Sequence, residues 1–417
     1  MTIRRLFGAV ALTVAVVTTT AARPVAAARM QPPATVSPAL DRLAKCVGTN
    51  RQLALVMLID ESQSLRETDP LGGRVAGAQA AVKGLTDLVQ RSGTTDPLQI
   101  DVQIAGFGVD FEESAPWQRI DPADSAPVTS RIDSFGARNN GLDTDYVNAL
   151  QGALGSVQGH AREMRGDRPY PPCTAVLWFT DGMYDVEDRL TAEQRELGRD
   201  NRGESQNKAY ATDLDLFVPG QGDATVERGE DVLCAAGGVA DQLRATGTTM
   251  LGVALTAKIA TEDQDFLRRV VVSGCGVRDG IANGQLLTGD LQGLVPFFDE
   301  VVAGLSDPTK VEDAQRLTPC PTDQGACPTG TKTFTVDGYL NRFHVLAKVD
   351  VPDVAVRLAP PGAPPVDIPK FGGSPGPGDA AVGPTAIKWS WISDKALTID
   401  ATSGDPNVNW AGLWAVT

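Results

Sequence analysis

The chain has 417 residues, with 52 acidic against 37 basic side chains and a formal net charge of −15. This charge argues against nucleic acid as a partner, because phosphates demand clustered Lys and Arg, and it mainly serves solubility. Domains cluster around roughly 100 to 200 residues, so we expect a chain of this length to contain two.

The first residues have the layout of a secretory signal. Arg4 and Arg5 form a basic start, residues 6–17 are apolar, and small residues at 26–28 make a cleavage site. We expect residues 1–28 to be removed and 29–45 to form a Pro/Ala-rich lead. The apolar run is shorter than the roughly 20 residues that span a bilayer, and no later stretch qualifies. The chain is therefore expected to be secreted or held at the extracellular cell surface.

Between residues 46 and 306, apolar runs alternate with segments of helical periodicity. This order predicts an α/β domain with a doubly wound, mostly parallel, Rossmann-like sheet covered by helices on both faces. A charged insertion at 183–229 interrupts it, as either a solvated surface segment or a specificity rim for a partner. The predicted elements in chain order are strand 53–59, helix 72–91, strand 100–107, helix 144–164, strand 175–180, helix 231–245, strand 248–255, helix 262–272, strand 285–287 and helix 290–305.

After a linker at 307–330, the pattern changes to short runs rich in Val, Phe, Trp and Thr. Residues 331–417 are predicted to form a smaller all-β, immunoglobulin-like sandwich, with 360–379 as a flexible loop. The predicted strands are 332–336, 342–349, 354–358, 386–391, 396–401 and 411–417. The last run has no closing turn, so we expect the natural chain to continue, and a membrane anchor is possible only in that missing part.

Oxygen-bearing side chains follow two of the predicted strands. Asp60, Ser62 and Ser64 come directly after strand 53–59, Asp181 follows strand 175–180, and Thr144 begins a helix. In an open parallel sheet such groups meet beyond the carboxyl ends of the strands. Carboxylates and hydroxyls suit a hard cation such as Mg²⁺ or Mn²⁺, and the set lacks the carboxylate-rich cage that Ca²⁺ prefers.

These residues resemble the von Willebrand factor type A (VWA) family and its metal-ion-dependent adhesion site (MIDAS). Asp60-x-Ser62-x-Ser64 matches the first motif of the site, and Thr144 and Asp181 match the residues of the second and third loops. The resemblance covers residues 53–305 in element order. It implies that the hydroxyls touch the cation, that the aspartates act directly or through water, and that one position stays open for an acidic group of a protein partner. Asp143 and Asp145, beside Thr144, could belong to the outer shell.

The six cysteines form an even set in an exported chain, which predicts bridges rather than free thiols. Zinc is the weaker interpretation, because CxxC spacing is missing and the chain has only two histidines. In the VWA-like strand order, Cys46 and Cys173 would lie at the same ends of neighbouring strands, which makes Cys46–Cys173 the first pair. The remaining candidates are Cys234–Cys275 and Cys320–Cys327.

Several other motifs carry little weight as sites. The GxSxG string at 372–376 lies in a Pro/Gly-rich segment without the strand and helix of a nucleophile elbow. The Arg-Gly-Asp string at 165–167 falls on the side away from the metal. His160 and His344 have no catalytic motif beside them, and the Trp residues near the end alternate as core residues do. With no P-loop, HExxH or triad, we expect no enzymatic activity.

The preferred hypothesis is a secreted or surface binding protein that recognises an acidic group of a protein through its cation. Two alternatives stay open: a Mg²⁺-dependent enzyme or enzyme-assembly component, and a structural envelope protein whose metal stiffens the fold. Loss of binding with EDTA would favour adhesion, turnover of a substrate would favour an enzyme, and loss of folding without metal would favour the structural role.

Overall fold

The computed structural model describes only part of the chain. The described residues are 38–70, 72–92, 97–200, 202–203, 207–255, 261–273, 275, 283–288, 317–320, 326–340, 342–348, 354–369, 377–393, 396–405, 408 and 410–417. The expected signal peptide, the predicted helix 290–305 and the GxSxG string at 372–376 lie outside the described residues. Most of the linker 307–330 also lies outside them.

A mostly parallel sheet forms the amino-terminal part, as predicted. Its described strands are β1 (Gln52–Asp60), β2 (Gln99–Phe107), β3 (Phe111–Glu113), β4 (Gln118–Arg119), β5 (Cys173–Thr180), β6 (Thr249–Ala254) and β7 (Gly284–Thr288). Their order is β3-β2-β1-β5-β6-β7, and β4 pairs with β2. The neighbouring strands β2 and β1, β1 and β5, β5 and β6, and β6 and β7 pair in parallel. β3 and β4 each run antiparallel to β2. β1 and β5 are therefore the central strands.

Helices lie on both faces of this sheet. They are α1 (Pro38–Asn50), α2 (Leu65–Thr68), α3 (Gly73–Arg91), α4 (Ala126–Asp133), a 3₁₀ helix (Ser134–Ala137), α5 (Tyr146–Arg165), α6 (Ala192–Leu197), α7 (Gln221–Cys234), α8 (Val239–Ala245) and α9 (Thr261–Val271). Every residue of β1 is buried because the strand alternates between two cores. Leu55 and Met57 pack with α1, α3 and α4 residues, whereas Val56 and Leu58 pack with α5, α8 and α9 residues.

Several helices differ from the predictions, which included none at α2, α4 or α6. The Pro/Ala-rich lead ends in α1, whose Leu40, Leu43 and Val47 join the core. The helix predicted at 144–164 begins at Tyr146, because Asp145 rather than Thr144 accepts from the first free N–H groups. The helix predicted at 231–245 is two helices, α7 and α8, separated around Gly237, which has a left-handed φ of 76°.

The described part of the insertion at 183–229 is folded. It contains α6 and most of α7. Its Tyr184, Val186 and Leu216 are buried in the same core as α5 and β5. Since the insertion contributes core residues, it is not merely a solvated segment.

Two four-stranded antiparallel sheets make up the carboxyl-terminal part. Their strands are β8 (Lys332–Val336), β9 (Arg342–Lys348), β10 (Val356–Ala359), β11 (Val366–Ile368), β12 (Pro377–Val382), β13 (Thr385–Ser393), β14 (Ala396–Ser403) and β15 (Gly412–Val416). The orders are β11-β10-β15-β8 and β12-β13-β14-β9. Both sheets contribute to one core that contains Trp389, Trp391, Trp410 and Trp414. The prediction of a loop throughout 360–379 was wrong, because that stretch contains β11 and begins β12.

Three disulfide bonds join Cys46 to Cys173, Cys234 to Cys275, and Cys320 to Cys327. The first bond connects α1 with the amino-terminal end of β5. This end of the sheet lies opposite the carboxyl ends of the parallel strands. The described helices include none with the length and apolar character needed to cross a bilayer.

Candidate metal centre

The loop after β1 folds back on its own carboxylate. Asp60 is buried at the end of β1, and its Oδ1 accepts a hydrogen bond from the Ser62 backbone N at 2.8 Å. Its Oδ2 accepts from the Thr180 hydroxyl at 2.9 Å. The hydroxyls of Ser62 and Ser64 lie 2.9 Å apart. Three of the predicted ligands therefore form one hydrogen-bonded group.

Asp181 joins this group through a residue that the sequence analysis did not select. The Thr68 hydroxyl at the end of α2 donates to Asp181 Oδ2 at 2.9 Å and also contacts the Ser64 carbonyl oxygen at 3.0 Å. The other oxygen, Asp181 Oδ1, is buried and has no hydrogen-bond partner among the described residues. An ionised oxygen in this condition is unfavourable unless a cation or donor reaches it.

The two carboxylates also affect each other. Burial and, after it, the negative charge of Asp181 together raise the pKa of Asp60 to about 7, although the hydrogen bonds from Ser62 and Thr180 act to lower it. Two buried acids that share a site resist simultaneous ionisation. A divalent cation between them would remove this repulsion, so the donor set fits the Mg²⁺ or Mn²⁺ that the residue types predict.

Thr144 lies on a second loop that runs beside the first. Gly141 donates to the Glu61 carbonyl and accepts from Gln63 N, both at 2.9 Å, and these bonds hold the two loops together. Thr144 is buried, and its backbone N donates to the Asp185 carbonyl at 2.8 Å. The structure thus assigns Thr144 to the adjacent loop, with its backbone fixed by the insertion.

The acids beside Thr144 have other partners. Asp143 Oδ2 lies 2.5 Å from Arg189 Nη2 and 2.8 Å from Lys208 Nζ. Asp145 Oδ1 caps α5 at the backbone N of Val147 and Asn148, and its Oδ2 lies 3.0 Å from Lys208 Nζ. Both carboxylates are therefore engaged within the protein.

The opposite charges of this buried cluster shift the pKa values of one another. Burial alone would raise the pKa of Asp143, but Lys208 and Arg189 outweigh it and lower that pKa. Burial alone would lower the pKa of Lys208, but Asp143 and Asp145 outweigh it and raise that pKa. Burial raises the pKa of Asp145 in spite of Lys208.

Four residues of this region were missed by reasoning from sequence: Thr68, Thr180, Arg189 and Lys208. Thr180 could have been found, because it precedes Asp181 at the end of a buried strand. Thr68 lies one helical turn after Ser64, which is a weak signal. Nothing in the local pattern of the insertion distinguishes Arg189 and Lys208 from its exposed cations.

Carboxylates alone do not make this centre. Within the described residues, no group of three or more His, Cys, Asp or Glu side chains is arranged to hold a metal ion. The candidate site instead combines the two carboxylates of Asp60 and Asp181 with the hydroxyls of Ser62 and Ser64.

No protein-family model matches the sequence, and no curated protein matches it significantly. Several solved structures are similar. Proximal thread matrix protein 1 (PTMP1) from the mussel byssus is 14% identical, with 61% of this chain and 48% of that one covered and a TM-score of 0.35. The PilB minor pilin from Streptococcus sanguinis is 15% identical, with 61% of each chain covered and a TM-score of 0.39. A von Willebrand factor type A protein from Catenulispora acidiphila is 12% identical, with 85% of this chain and 58% of that one covered and a TM-score of 0.33.

This chain spans about half the length of the mussel protein, of which another structure is described with a zinc-occupied MIDAS motif. The fold rests on the strand order β3-β2-β1-β5-β6-β7 with helices on both faces, followed by two small antiparallel sheets.

Proposed function

We propose that this chain is an extracellular binding protein that recognises a carboxylate of a protein partner through a bound Mg²⁺ or Mn²⁺. Asp60, Ser62, Ser64, Thr144 and Asp181 would hold the cation. The observation that supports this proposal best is the buried Asp181 Oδ1, which no described residue reaches with a hydrogen bond. It lies within a network that already contains Asp60 and the serine hydroxyl pair.

The cation would supply an electrophilic centre that binds an anionic oxygen of the partner. The protein's own residues orient the carboxylates that would hold the cation. Thr180 and the Ser62 backbone N fix both oxygens of Asp60, and Thr68 fixes one oxygen of Asp181. Hydroxyl ligands are neutral, so they leave more of the cation's charge available to a foreign carboxylate than a cage of acids would.

The disulfide bonds are those expected of an exported protein. Disulfide bonds persist where the environment is oxidising, and all six cysteines are paired. The signal-like amino terminus points the same way. Secretion or display at the cell surface is therefore part of the proposal.

Metal binding is tested first, with EDTA-stripped protein titrated with MnCl₂ by calorimetry and by electron paramagnetic resonance of free Mn²⁺. The wild type is expected to bind one Mn²⁺, and Asp60→Ala is expected to lose this binding while retaining its circular dichroism spectrum. Folded wild-type protein that binds no Mn²⁺ would contradict the proposal.

Carboxylate recognition is tested with the Mn²⁺-loaded protein and surface-displayed peptides that contain Asp or Glu. The same peptides with Asn or Gln serve as matched controls. Binding that requires both the acid and the cation supports adhesion. Protein that unfolds in EDTA and binds no acidic peptide would instead indicate a structural metal, and turnover of a substrate panel would indicate an enzyme.

A further inference from the structure

The insertion at 183–229 sends two cations into the protein interior. The Arg189 side chain is 0% exposed and that of Lys208 is 4% exposed. Both reach Asp143, and Lys208 also reaches Asp145 and donates to the Val109 carbonyl at 2.6 Å. Burial of charges is expensive, so a buried network of this kind is weak evidence of a role in stability alone.

The backbone of the insertion contacts the same short segment. Thr144 and Asp185 exchange two backbone hydrogen bonds, at 2.8 and 3.4 Å. Glu187 N donates to Asp143 Oδ1 at 3.1 Å. Each of the three consecutive residues from Asp143 to Asp145 is therefore bound to the insertion. The middle one, Thr144, is a candidate cation ligand.

We infer that the insertion is a clamp for the second metal loop, in which Arg189 and Lys208 are positioning residues that fix Thr144 for cation binding. This inference rests on the proposed function, because it concerns the same cation. Partners that orient metal ligands without touching the metal typically change metal affinity 10- to 100-fold when removed. The clamp would give the site a ready third hydroxyl without any charged ligand being added.

The first test measures Mn²⁺ affinity of Lys208→Met and Arg189→Met by calorimetry. Both variants are expected to bind Mn²⁺ roughly 10- to 100-fold more weakly than wild type. Arg228→Met is the matched control, because Arg228 belongs to the same insertion but pairs with Asp213 at the surface. Arg228→Met is expected to bind Mn²⁺ like wild type. Equal affinity in folded Lys208→Met and wild type would overturn the clamp.

A double-mutant cycle separates positioning from general destabilisation. If Lys208 acts through Thr144, then Lys208→Met should weaken Mn²⁺ binding little further in a Thr144→Ala background. The same fold-loss in both backgrounds would overturn the inference, because it would show that Lys208 affects the site by another route.

A further variant covers the case in which Lys208→Met does not fold. Lys208→Met/Asp145→Asn removes a cation together with an anion, and Asn still accepts from the start of α5. Weakened Mn²⁺ binding by this folded variant supports the clamp, and wild-type affinity overturns it. The proposed function fails separately, when the wild-type protein itself binds no Mn²⁺.

Discussion

Thr180 places one hydroxyl between Asp60 and Tyr146. It donates to Asp60 Oδ2, lies 2.9 Å from the Tyr146 hydroxyl, and accepts from Gly182 N at 3.2 Å. Because its single proton goes to Asp60, the Tyr146 hydroxyl is the donor of the other pair. One threonine thus supports the carboxylate that the candidate site depends on.

Thr180→Val keeps the size of the side chain and removes this hydroxyl. It leaves Asp60 Oδ2 and the Tyr146 hydroxyl buried without their partner, so we expect the free energy of unfolding to fall by about 1–3 kcal/mol. Urea unfolding measured in EDTA checks this value. Thr86→Val is the control, since the Thr86 hydroxyl donates back to the Val82 carbonyl in its own helix, and it should change stability by less than about 1 kcal/mol. Equal losses in the two variants would contradict the prediction.

Sequence reasoning placed Asp60 and Asp181 because each follows a continuous apolar run, which is a local signal. The hydrogen-bond network between them could not be predicted, because its contacts join residues far apart in the sequence. Thr68 meets Asp181 across 113 positions, and Arg189 meets Asp143 across 46. No periodicity records such pairs, since only the folded topology brings the residues together.

At the scale of elements, α5 packs closely against β3. A Cβ at Gly152 would overlap the Phe111 side chain, whereas a Cβ at Gly155, about one turn further on, would meet no described atom within 4 Å. The helix therefore depends on a small residue at one position and tolerates a larger one at the other.

Gly152→Ala and Gly155→Ala are expected to change stability in opposite directions. The first should destabilise the protein by about 1–3 kcal/mol through overpacking against Phe111. The second should stabilise it by up to about 1 kcal/mol, because Ala is the better helix former. Urea unfolding followed by circular dichroism measures both. A stabilised Gly152→Ala variant would show that the β3 contact is looser than described.

The strands that were predicted well share one property. β1, β2, β5 and β6 lie within a residue or two of their expected bounds. Burial on both faces makes β1, β5 and β6 nearly continuous apolar runs, and β2 keeps Ile100, Val102 and Ile104 at alternate positions. α1 was hidden by the Pro and Ala residues before it, although Leu40, Leu43 and Val47 have helical spacing. The stretch 360–379 was misjudged because edge strands tolerate Pro and Gly: β12 begins with Pro377 and Gly378, and both pair with β13.

At the scale of the whole molecule, the cation should be linked to folding. A ligand that binds only the folded state stabilises it, by about 2.7 kcal/mol at a concentration 100 times its dissociation constant. We expect this shift in urea unfolding when MnCl₂ replaces EDTA. Asp181→Asn is the control and should lose the shift. A shift of equal size in that variant would place the stabilising metal elsewhere.

The disulfide bonds should contribute unequally. Cys46–Cys173 closes a sequence separation of 127 residues, whereas Cys320–Cys327 closes one of 7. A disulfide constrains the unfolded chain more when its loop is longer. Replacing both cysteines of the first pair by Ala should therefore lower the free energy of unfolding by about 2–4 kcal/mol. Replacing both cysteines of the second pair should lower it by less. Urea unfolding of the two double variants compares them. The reverse ranking would contradict the expectation.

The bond between Cys46 and Cys173 also decides where a mechanical load enters the sheet. Cys46 lies ahead of β1, and Cys173 opposes Leu53 in the register of β1 and β5. A pull on the chain before Cys46 is shared by these two strands at one end, while Asp60 and Asp181 lie at the other. Tension between that end and a tethered partner would run lengthwise along both strands and load their hydrogen bonds in shear, all together.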